Sequence, residues 1–178
     1  MSTHLLPTLG IVVALLGFSA FFSSSETALF SLSREWVAEA AATDPRAAAV
    51  EDVLADPHRL LVTILVGNNV VNIALSSLLT ALFVDRFQSG TAVVVTTVVA
   101  SSVILVAGEI VPKSYGLGHA QSFALRVVRP LRYVELFLYP VVTVFDVLTR
   151  TVSAGLGGQQ AIERTYDDES ATETTDDG

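Results

Sequence analysis

The sequence predicts an all-α integral membrane protein with three transmembrane helices, a cytosolic short-helix hairpin and an interfacial juxtamembrane helix. Hydrophobic residues make up 51% of the 178 residues and charged residues only 16%, which is more apolar than an ordinary soluble domain. Three apolar runs are long enough to cross a bilayer as helices, which takes about 20 residues each. We assign residues 1–152 to one transmembrane domain. Residues 153–178 are rich in carboxylates and poor in aromatic residues, so they are predicted to form an acidic, disordered tail.

The first predicted span covers about residues 5–32. It carries no charge before Glu26, and its length and lack of N-terminal bases distinguish it from a cleaved signal peptide. Residues 34–55 follow; they are alanine-rich and amphipathic, with Pro45 in the middle. This pattern predicts a pair of short helices outside the bilayer.

The second and third predicted spans cover about residues 60–84 and 91–111. Asp56 and Pro57 precede the second span and provide a helix cap and a first-turn proline. The third run is rich in β-branched residues, which would favour a strand in a soluble protein. Its length of about 20 residues instead predicts a helix embedded in lipid.

The segment at about residues 120–150 is apolar but carries arginines at a spacing of three, Arg126, Arg129 and Arg132. This spacing places them on one helical face, from which they can reach lipid phosphates, so we predict a helix along the membrane interface. A fourth span over residues 133–152 is the alternative. The excess of basic residues on one side predicts a multi-pass protein of the cell membrane, with its N-terminus outside and its acidic tail in the cytosol.

Polar side chains interrupt the apolar character of the first span. They recur every three or four residues and therefore form one stripe along the helix. The stripe consists of Ser19, Ser23, Glu26 or Thr27, and Ser31, with Ser24 and Ser25 turned partly aside. A polar stripe in a membrane helix implies that something polar lies opposite it.

The second span contains three asparagines in the segment LVGNNVVNI. Asn68 and Asn69 precede Asn72 by four and three residues, so at least two amide oxygens can point the same way. Gly67 in the same segment is expected to let another backbone approach closely. The second span is therefore predicted to contribute amide ligands.

The third span contains the segment AGEIVPK. Pro112 has no N–H, so the carbonyl of Gly108, four residues earlier, is predicted to lose its usual helical partner and become available to a cation. Glu109 is an ionisable group beside it, and Lys113 is expected to be its counter-charge or an interfacial anchor. Hydroxyl, amide, carbonyl and carboxylate oxygens without cysteine or histidine suit hard cations such as Mg²⁺, Ca²⁺ or Na⁺, and charge inside a membrane is costly enough to indicate function or pairing.

The motifs SxSETAL, LVGNNVVNI and GEIVPKS, in this order and spacing, resemble the signature of the CNNM/CorC transmembrane domain over about residues 5–150. The resemblance implies a homodimer that exports Mg²⁺ in exchange for Na⁺ through a site within the membrane. It also implies that Glu26 serves the ion path or the Na⁺ side. Carried over by motif, the ligands would be Ser23 and either Ser24 or Ser25, Asn68 or Asn72, Gly108 and Glu109.

Two other classes of function stand beside transport. The polar stripes of a membrane scaffold or regulatory module would serve helix packing alone. An enzyme is not expected, because the sequence has no GxSxG motif and no histidine in the polar clusters to act as a base. The expected partners are the lipid bilayer and a second copy of the chain, with no nucleic acid. Family members usually continue into CBS modules that bind nucleotide, and we expect no nucleotide site in this chain.

Overall fold

The computed structural model describes residues 5–84 and 89–155, and these residues fold into a succession of helices. The all-α prediction is therefore confirmed. The elements are α1 (Leu5–Phe30), α2 (Arg34–Ala41), α3 (Pro45–Leu54), α4 (Pro57–Val84), α5 (Ser89–Val103), a π-helix (Ile104–Ile110), α6 (Val111–Gly118) and α7 (Ala120–Gly155). Residues 156–178 of the predicted tail lie outside the described residues.

Three helical stretches within the described residues are long and apolar enough to cross a membrane. They are Leu6–Phe30, Pro57–Phe83 and Val93–Gly118, so the prediction of three spans is confirmed. The alternative fourth span over residues 133–152 is not among them. The first stretch lies in α1, the second in α4, and the third runs from α5 through the π-helix into α6.

The third span does not end near residue 111, as the sequence predicted, but extends to Gly118. The reason is the π-helix, in which hydrogen bonds skip one residue more than in an α-helix. The N–H of Val111 donates to the carbonyl of Val106, five residues earlier. Pro112 then stands in the first turn of α6, where a proline needs no N–H partner and its fixed φ angle suits the helix.

The predicted hairpin is present as α2 and α3, and both short helices begin with a capping side chain. The Ser33 hydroxyl accepts a hydrogen bond from the N–H of Trp36 at 3.3 Å, and an Asp44 oxygen accepts one from the N–H of Arg46 at 2.8 Å. Pro45 occupies the first turn of α3. Hydrogen bonds from the Arg46 side chain and backbone lower the pKa of the Asp44 carboxyl.

The core of the membrane domain forms where α1 packs on α4 and α6. Its largest fully buried side chains include Leu29 of α1, Ile64 of α4 and Leu131 of α7. Phe22 lies on Gly67 of α4, whose missing side chain leaves room for the aromatic ring. The close approach expected at Gly67 thus occurs, but to a ring and not to a backbone.

Helix α7 crosses the boundary between two compact units, of which the first ends at Leu138 and the second begins at Tyr139. In the first unit, α7 buries Ala124 and Val128 in the core. In the second unit, Val144 and Val147 are among several large apolar side chains that are exposed.

The three arginines of α7 do not share one environment, although their spacing places them on one helical face from which they can reach phosphates. Arg132 forms an ion pair with Asp52 of α3 at 2.6 Å, so it joins α7 to the hairpin. Arg129 lies close enough to Asp44 to contribute to its lowered pKa. Arg126 is exposed and forms no hydrogen bond or ion pair within the described residues.

Candidate cation site

A polar cluster lies where the three membrane-spanning stretches meet, and Ser19 of α1 is at its centre. The Ser19 side chain is fully buried. Its Oγ lies 2.8 Å from Asn72 Oδ1 and 3.3 Å from Asn68 Oδ1, both on α4. It also lies 3.5 Å from the carbonyl oxygen of Gly108 in the π-helix. Four oxygen atoms from three spans therefore converge at one buried point.

Glu109 joins this cluster through Asn72. The Asn72 side-chain nitrogen donates a hydrogen bond to Glu109 Oε1 at 3.2 Å. Because a carboxylate only accepts hydrogen bonds, this contact fixes the orientation of the Asn72 amide. Its nitrogen faces Glu109, and its oxygen faces Ser19. Glu109 thus holds an amide oxygen in the cluster and adds a negative charge beside it.

Three acceptor oxygens of the cluster depend on one hydroxyl. The Ser19 hydroxyl carries one proton, and that proton has three oxygen atoms within hydrogen-bonding distance, those of Asn68, Asn72 and Gly108. A single proton cannot satisfy three acceptors well, and buried acceptors without partners are costly. A cation could bind all of these oxygens together, and all-oxygen ligand sets suit hard cations such as Mg²⁺.

The backbone at Gly108 allows this convergence. A Cβ at this position would lie 2.7 Å from Ser19 Oγ, which is too close for a carbon atom. Gly108 is buried and belongs to the π-helix, a rare form that occurs mostly as a short insertion in an α-helix and frequently at a functional site. The carbonyl that the sequence predicted to become available is thus brought to the Ser19 hydroxyl.

The other predicted serine ligands of α1 divide into two groups. Ser24 donates to the carbonyl of Ala20 at 2.6 Å, so its hydroxyl is used within its own helix. Ser23 and Ser25 are buried, and within the described part of the chain their hydroxyls have no hydrogen-bond partner. Ser23 lies one helical turn beyond Ser19 on the same stripe. Buried hydroxyls normally have a hydrogen-bond partner, so the Ser23 hydroxyl is available to a ligand.

Glu26 is paired with Lys113 of α6 and forms no described hydrogen bond to the Ser19 cluster. Lys113 Nζ lies 3.0 Å from Glu26 Oε2, and both side chains are partly exposed. Lys113 was expected to be the counter-charge of Glu109 or an interfacial anchor, and the carboxylate that it reaches within the described residues is that of Glu26 on α1. This pair lies beside a close contact between α1 and α6, where Gly116 packs on the carbonyl oxygen of Ser24.

Asn69 is the one asparagine of the LVGNNVVNI segment that stays outside the cluster. Its side chain is exposed, and its nitrogen donates to the carbonyl of Leu65 on the same helix at 2.9 Å. The sequence predicted that at least two amide oxygens would point the same way, and those of Asn68 and Asn72 do. Asn69 therefore provides an internal comparison for the two asparagines in the cluster.

Ser19 was not predicted as a ligand, although it stood in the predicted polar stripe. Spacing alone does not say whether a membrane serine bonds to its own helix or to a neighbour. The described residues also contain no group of three or more histidine, cysteine, aspartate or glutamate side chains that could hold a metal ion. The candidate site is built mainly from the neutral oxygens of a hydroxyl, two amides and a carbonyl.

The chain is similar to one family of membrane domains and to several longer proteins. A family model described as the cyclin M transmembrane N-terminal domain, CNNM, matches residues 10–177. A DUF21 domain-containing chloroplastic protein of Arabidopsis thaliana is 37% identical over 83% of this chain and 22% of its own length. The UPF0053 inner membrane protein YfjD of Escherichia coli is 32% identical over 78% of this chain and 32% of its own length. A UPF0053 protein of Synechocystis is 32% identical over 82% of this chain and 42% of its own length. The chain thus spans less than half the length of these relatives.

Proposed function

The chain belongs to the CNNM family of membrane domains, and from this premise we propose that it transports Mg²⁺ through the cluster around Ser19. It is a multi-pass membrane protein. The family is associated with Mg²⁺ transport, and its members are typically transporters, not enzymes. The proposal assigns cation binding to Ser19, Asn68, Asn72 and the Gly108 carbonyl, with Glu109 as the nearby charge.

The convergence of three acceptor oxygens on the single Ser19 hydroxyl carries this proposal. Membrane helices can pack through polar side chains that hydrogen-bond across the interface. Here the Asn72 nitrogen faces Glu109, and the oxygens of Asn68, Asn72 and Gly108 face the single Ser19 hydroxyl. Mg²⁺ would supply the missing positive charge.

The chemistry of the ligand set suits a transported ion better than a permanently bound one. Transport requires binding that is strong enough for entry and weak enough for release. Neutral hydroxyl, amide and carbonyl oxygens bind a divalent ion less strongly than a set of carboxylates. Glu109 adds one negative charge and also orients Asn72, as groups beside a metal's direct ligands commonly do.

We propose that Ser23 and Glu26 continue the ion path along α1 towards the cytosol. Ser23 follows Ser19 by four residues and Glu26 follows Ser23 by three, so the three positions lie along one side of the helix. The buried Ser23 hydroxyl has no described partner. The ammonium group of Lys113 neutralises Glu26, and an ion arriving at this carboxylate would have to displace it.

Our proposals for direction, coupling and assembly rest on the resemblance to the family and on the distribution of charge. We propose export of Mg²⁺ driven by Na⁺ entry, by a homodimer with its N-terminus outside and its tail in the cytosol. Arg34 and Arg46 lie between the first and second spans, and the three arginines of α7 follow the third. An excess of basic residues in these segments supports their placement in the cytosol.

A structural role is the second candidate function, and one observation favours it. The contacts of Ser19 join α1 to α4 and to the π-helix, so the same cluster could serve as a fixed point in a scaffold. In that case, removing its members would dissociate or unfold the protein and leave no ion-binding defect to measure.

Flux measurement in liposomes tests the proposal. Purified protein is reconstituted with a Mg²⁺-sensitive dye inside the vesicles, with and without a Na⁺ gradient. We expect Mg²⁺ flux from wild type and from Asn69→Ala, and none from Asn72→Ala. Equal flux from Asn72→Ala and Asn69→Ala, with both proteins folded, would remove the cluster from the transport path.

A further inference from the structure

We propose that the chain binds one phospholipid with an anionic headgroup between α1 and α7, with Arg126 holding the phosphate and an apolar groove holding an acyl chain. This inference goes beyond transport and does not depend on it. It rests on a groove in the first compact unit and on the charge at one end of it.

The groove has a volume of about 430 Å³ and is almost wholly apolar. Its walls come from one side of a membrane-spanning helix and from one side of α7. The lining residues are Ala14, Gly17, Phe18, Phe21, Pro130 and Val134. An almost wholly apolar groove that opens beside a membrane span suits a hydrocarbon chain.

Arg126 lies beside this groove on the surface of α7. Pro130 and Val134 follow it by four and eight residues, so they are turned from it by about 40° and 80° around the helix. Arg129 is turned by about 60° to the other side, where it contributes to the lowered pKa of Asp44. Arg126 is therefore the basic side chain that adjoins the groove.

The charge of Arg126 has no acidic partner within the described residues, whereas Arg132 is paired with Asp52. Its guanidinium group matches a phosphate in shape and charge. An exposed arginine next to an apolar groove therefore complements an amphipathic molecule with a negative head.

The position of α7 along the membrane fits the same arrangement. One cavity is lined by residues 31–33 and by residues 117–122. Helix α7 therefore begins beside the end of α1. Arg126 lies between this end and the groove, about 6 Å along the helix from Pro130. Tyr133 is 75% exposed and lies near Arg126 around the helix, and tyrosine is common at the level of lipid headgroups. Arg132 and Glu135 of the same helix pair with Asp52 and Arg59 on the hairpin side, so the headgroup lies at the membrane surface and the groove leads the chain along α1 towards Ala14.

Gly17 offers a way to fill the groove without disturbing the protein. A Cβ at Gly17 meets no atom within 4 Å, and the same is true of Gly10 on the same helix. Gly10 does not line the groove. Gly17→Leu should therefore occupy the space of the acyl chain, and Gly10→Leu is its matched control.

Native mass spectrometry of the full chain in detergent, with equimolar phosphatidylglycerol and phosphatidylcholine, tests the proposal. Wild type should retain one lipid per chain and prefer phosphatidylglycerol. Gly17→Leu should lose both lipids, and Gly10→Leu should retain them. Arg126→Gln should lower the preference for phosphatidylglycerol about fivefold, whereas Arg129→Gln should leave it unchanged.

Several outcomes would overturn the proposal. One is that Gly17→Leu retains as much lipid as Gly10→Leu, and another is that both arginine variants change the preference equally. Competition by inorganic phosphate would indicate a site for the free ion and not for a lipid. A smaller oligomer of Gly17→Leu, with unchanged lipid binding, would show that a second copy of the chain covers the groove. Thermal unfolding of each variant confirms that it is folded.

Discussion

The hydroxyl of Ser19 lies 2.8 Å from the side-chain oxygen of Asn72, and this contact joins the first membrane span to the second. The nitrogen of the same amide is directed to Glu109 on the third span. Asn72 therefore links the hydroxyl and the carboxylate of the cluster, and its loss should affect both.

Asn72→Ala should weaken Mg²⁺ binding by about tenfold to a hundredfold, because it removes one oxygen ligand and the contact that positions Glu109. Calorimetry on the detergent-solubilised protein measures this change. Asn69→Ala removes an exposed amide whose hydrogen bond within the described residues is to Leu65 of its own helix, so this variant should bind Mg²⁺ as wild type does. Equal losses in the two variants would contradict the site.

Ser19→Ala should lower both Mg²⁺ affinity and the free energy of unfolding. Removing the hydroxyl leaves the oxygens of Asn68 and Asn72 without its proton, at a cost of about 1–3 kcal/mol. Ser24→Ala is the matched control, because the Ser24 hydroxyl bonds to Ala20 in its own helix. Thermal unfolding with and without Mg²⁺ separates the two effects: Mg²⁺ should stabilise Ser24→Ala but not Ser19→Ala. If Mg²⁺ stabilised both alike, Ser19 would not be a ligand.

The sequence predicted much of this architecture, because the length of apolar runs specifies membrane spans almost alone. It also placed Asn68, Asn72, Gly108 and Glu109 together as candidates, and the structure brings these four residues to one cluster. Helical periodicity predicts the common direction of the Asn68 and Asn72 amides, whereas their grouping with Gly108 and Glu109 was implied by the resemblance to the CNNM/CorC domain.

The role of Ser19 could not be predicted in the same way. Ser24, Thr27 and Ser31 all donate to carbonyls of their own helix, and Ser19 does not. Which hydroxyl turns outward depends on what the neighbouring span offers it, and that information is not local. The π-helix is a second example: Pro112 marked an irregularity, but it did not show whether the helix would end or change its hydrogen bonding.

Gly108→Ala should disturb the cluster through a single added methyl group. Its Cβ would lie 2.7 Å from Ser19 Oγ, so the hydroxyl or the π-helix must move, at a cost of about 1–3 kcal/mol. We expect loss of Mg²⁺ binding together with a lower unfolding temperature. Gly118→Ala, where a Cβ meets nothing within 4 Å, should change neither quantity. Normal Mg²⁺ affinity in Gly108→Ala would show that the close approach of Gly108 to Ser19 is not needed.

Glu26 and Lys113 should show a measurable but small energetic coupling. Their charged atoms lie 3.0 Å apart, with side-chain exposures of 31% and 44%, so solvent screening limits the coupling to about 1 kcal/mol. A double-mutant cycle with Glu26→Gln and Lys113→Gln, followed by denaturation in detergent, measures it. Strictly additive effects of the two substitutions would mean that the ion pair does not form in the membrane domain.

Calorimetry on wild type and Glu109→Ala is the most direct test of whether the cluster around Ser19 binds Mg²⁺. Size-exclusion chromatography must first show that both proteins form the same folded oligomer. We expect Mg²⁺ binding to wild type and none to Glu109→Ala, because the variant lacks the only carboxylate joined to the cluster within the described residues. Absence of binding to both folded proteins would rule out this cation site and favour the scaffold.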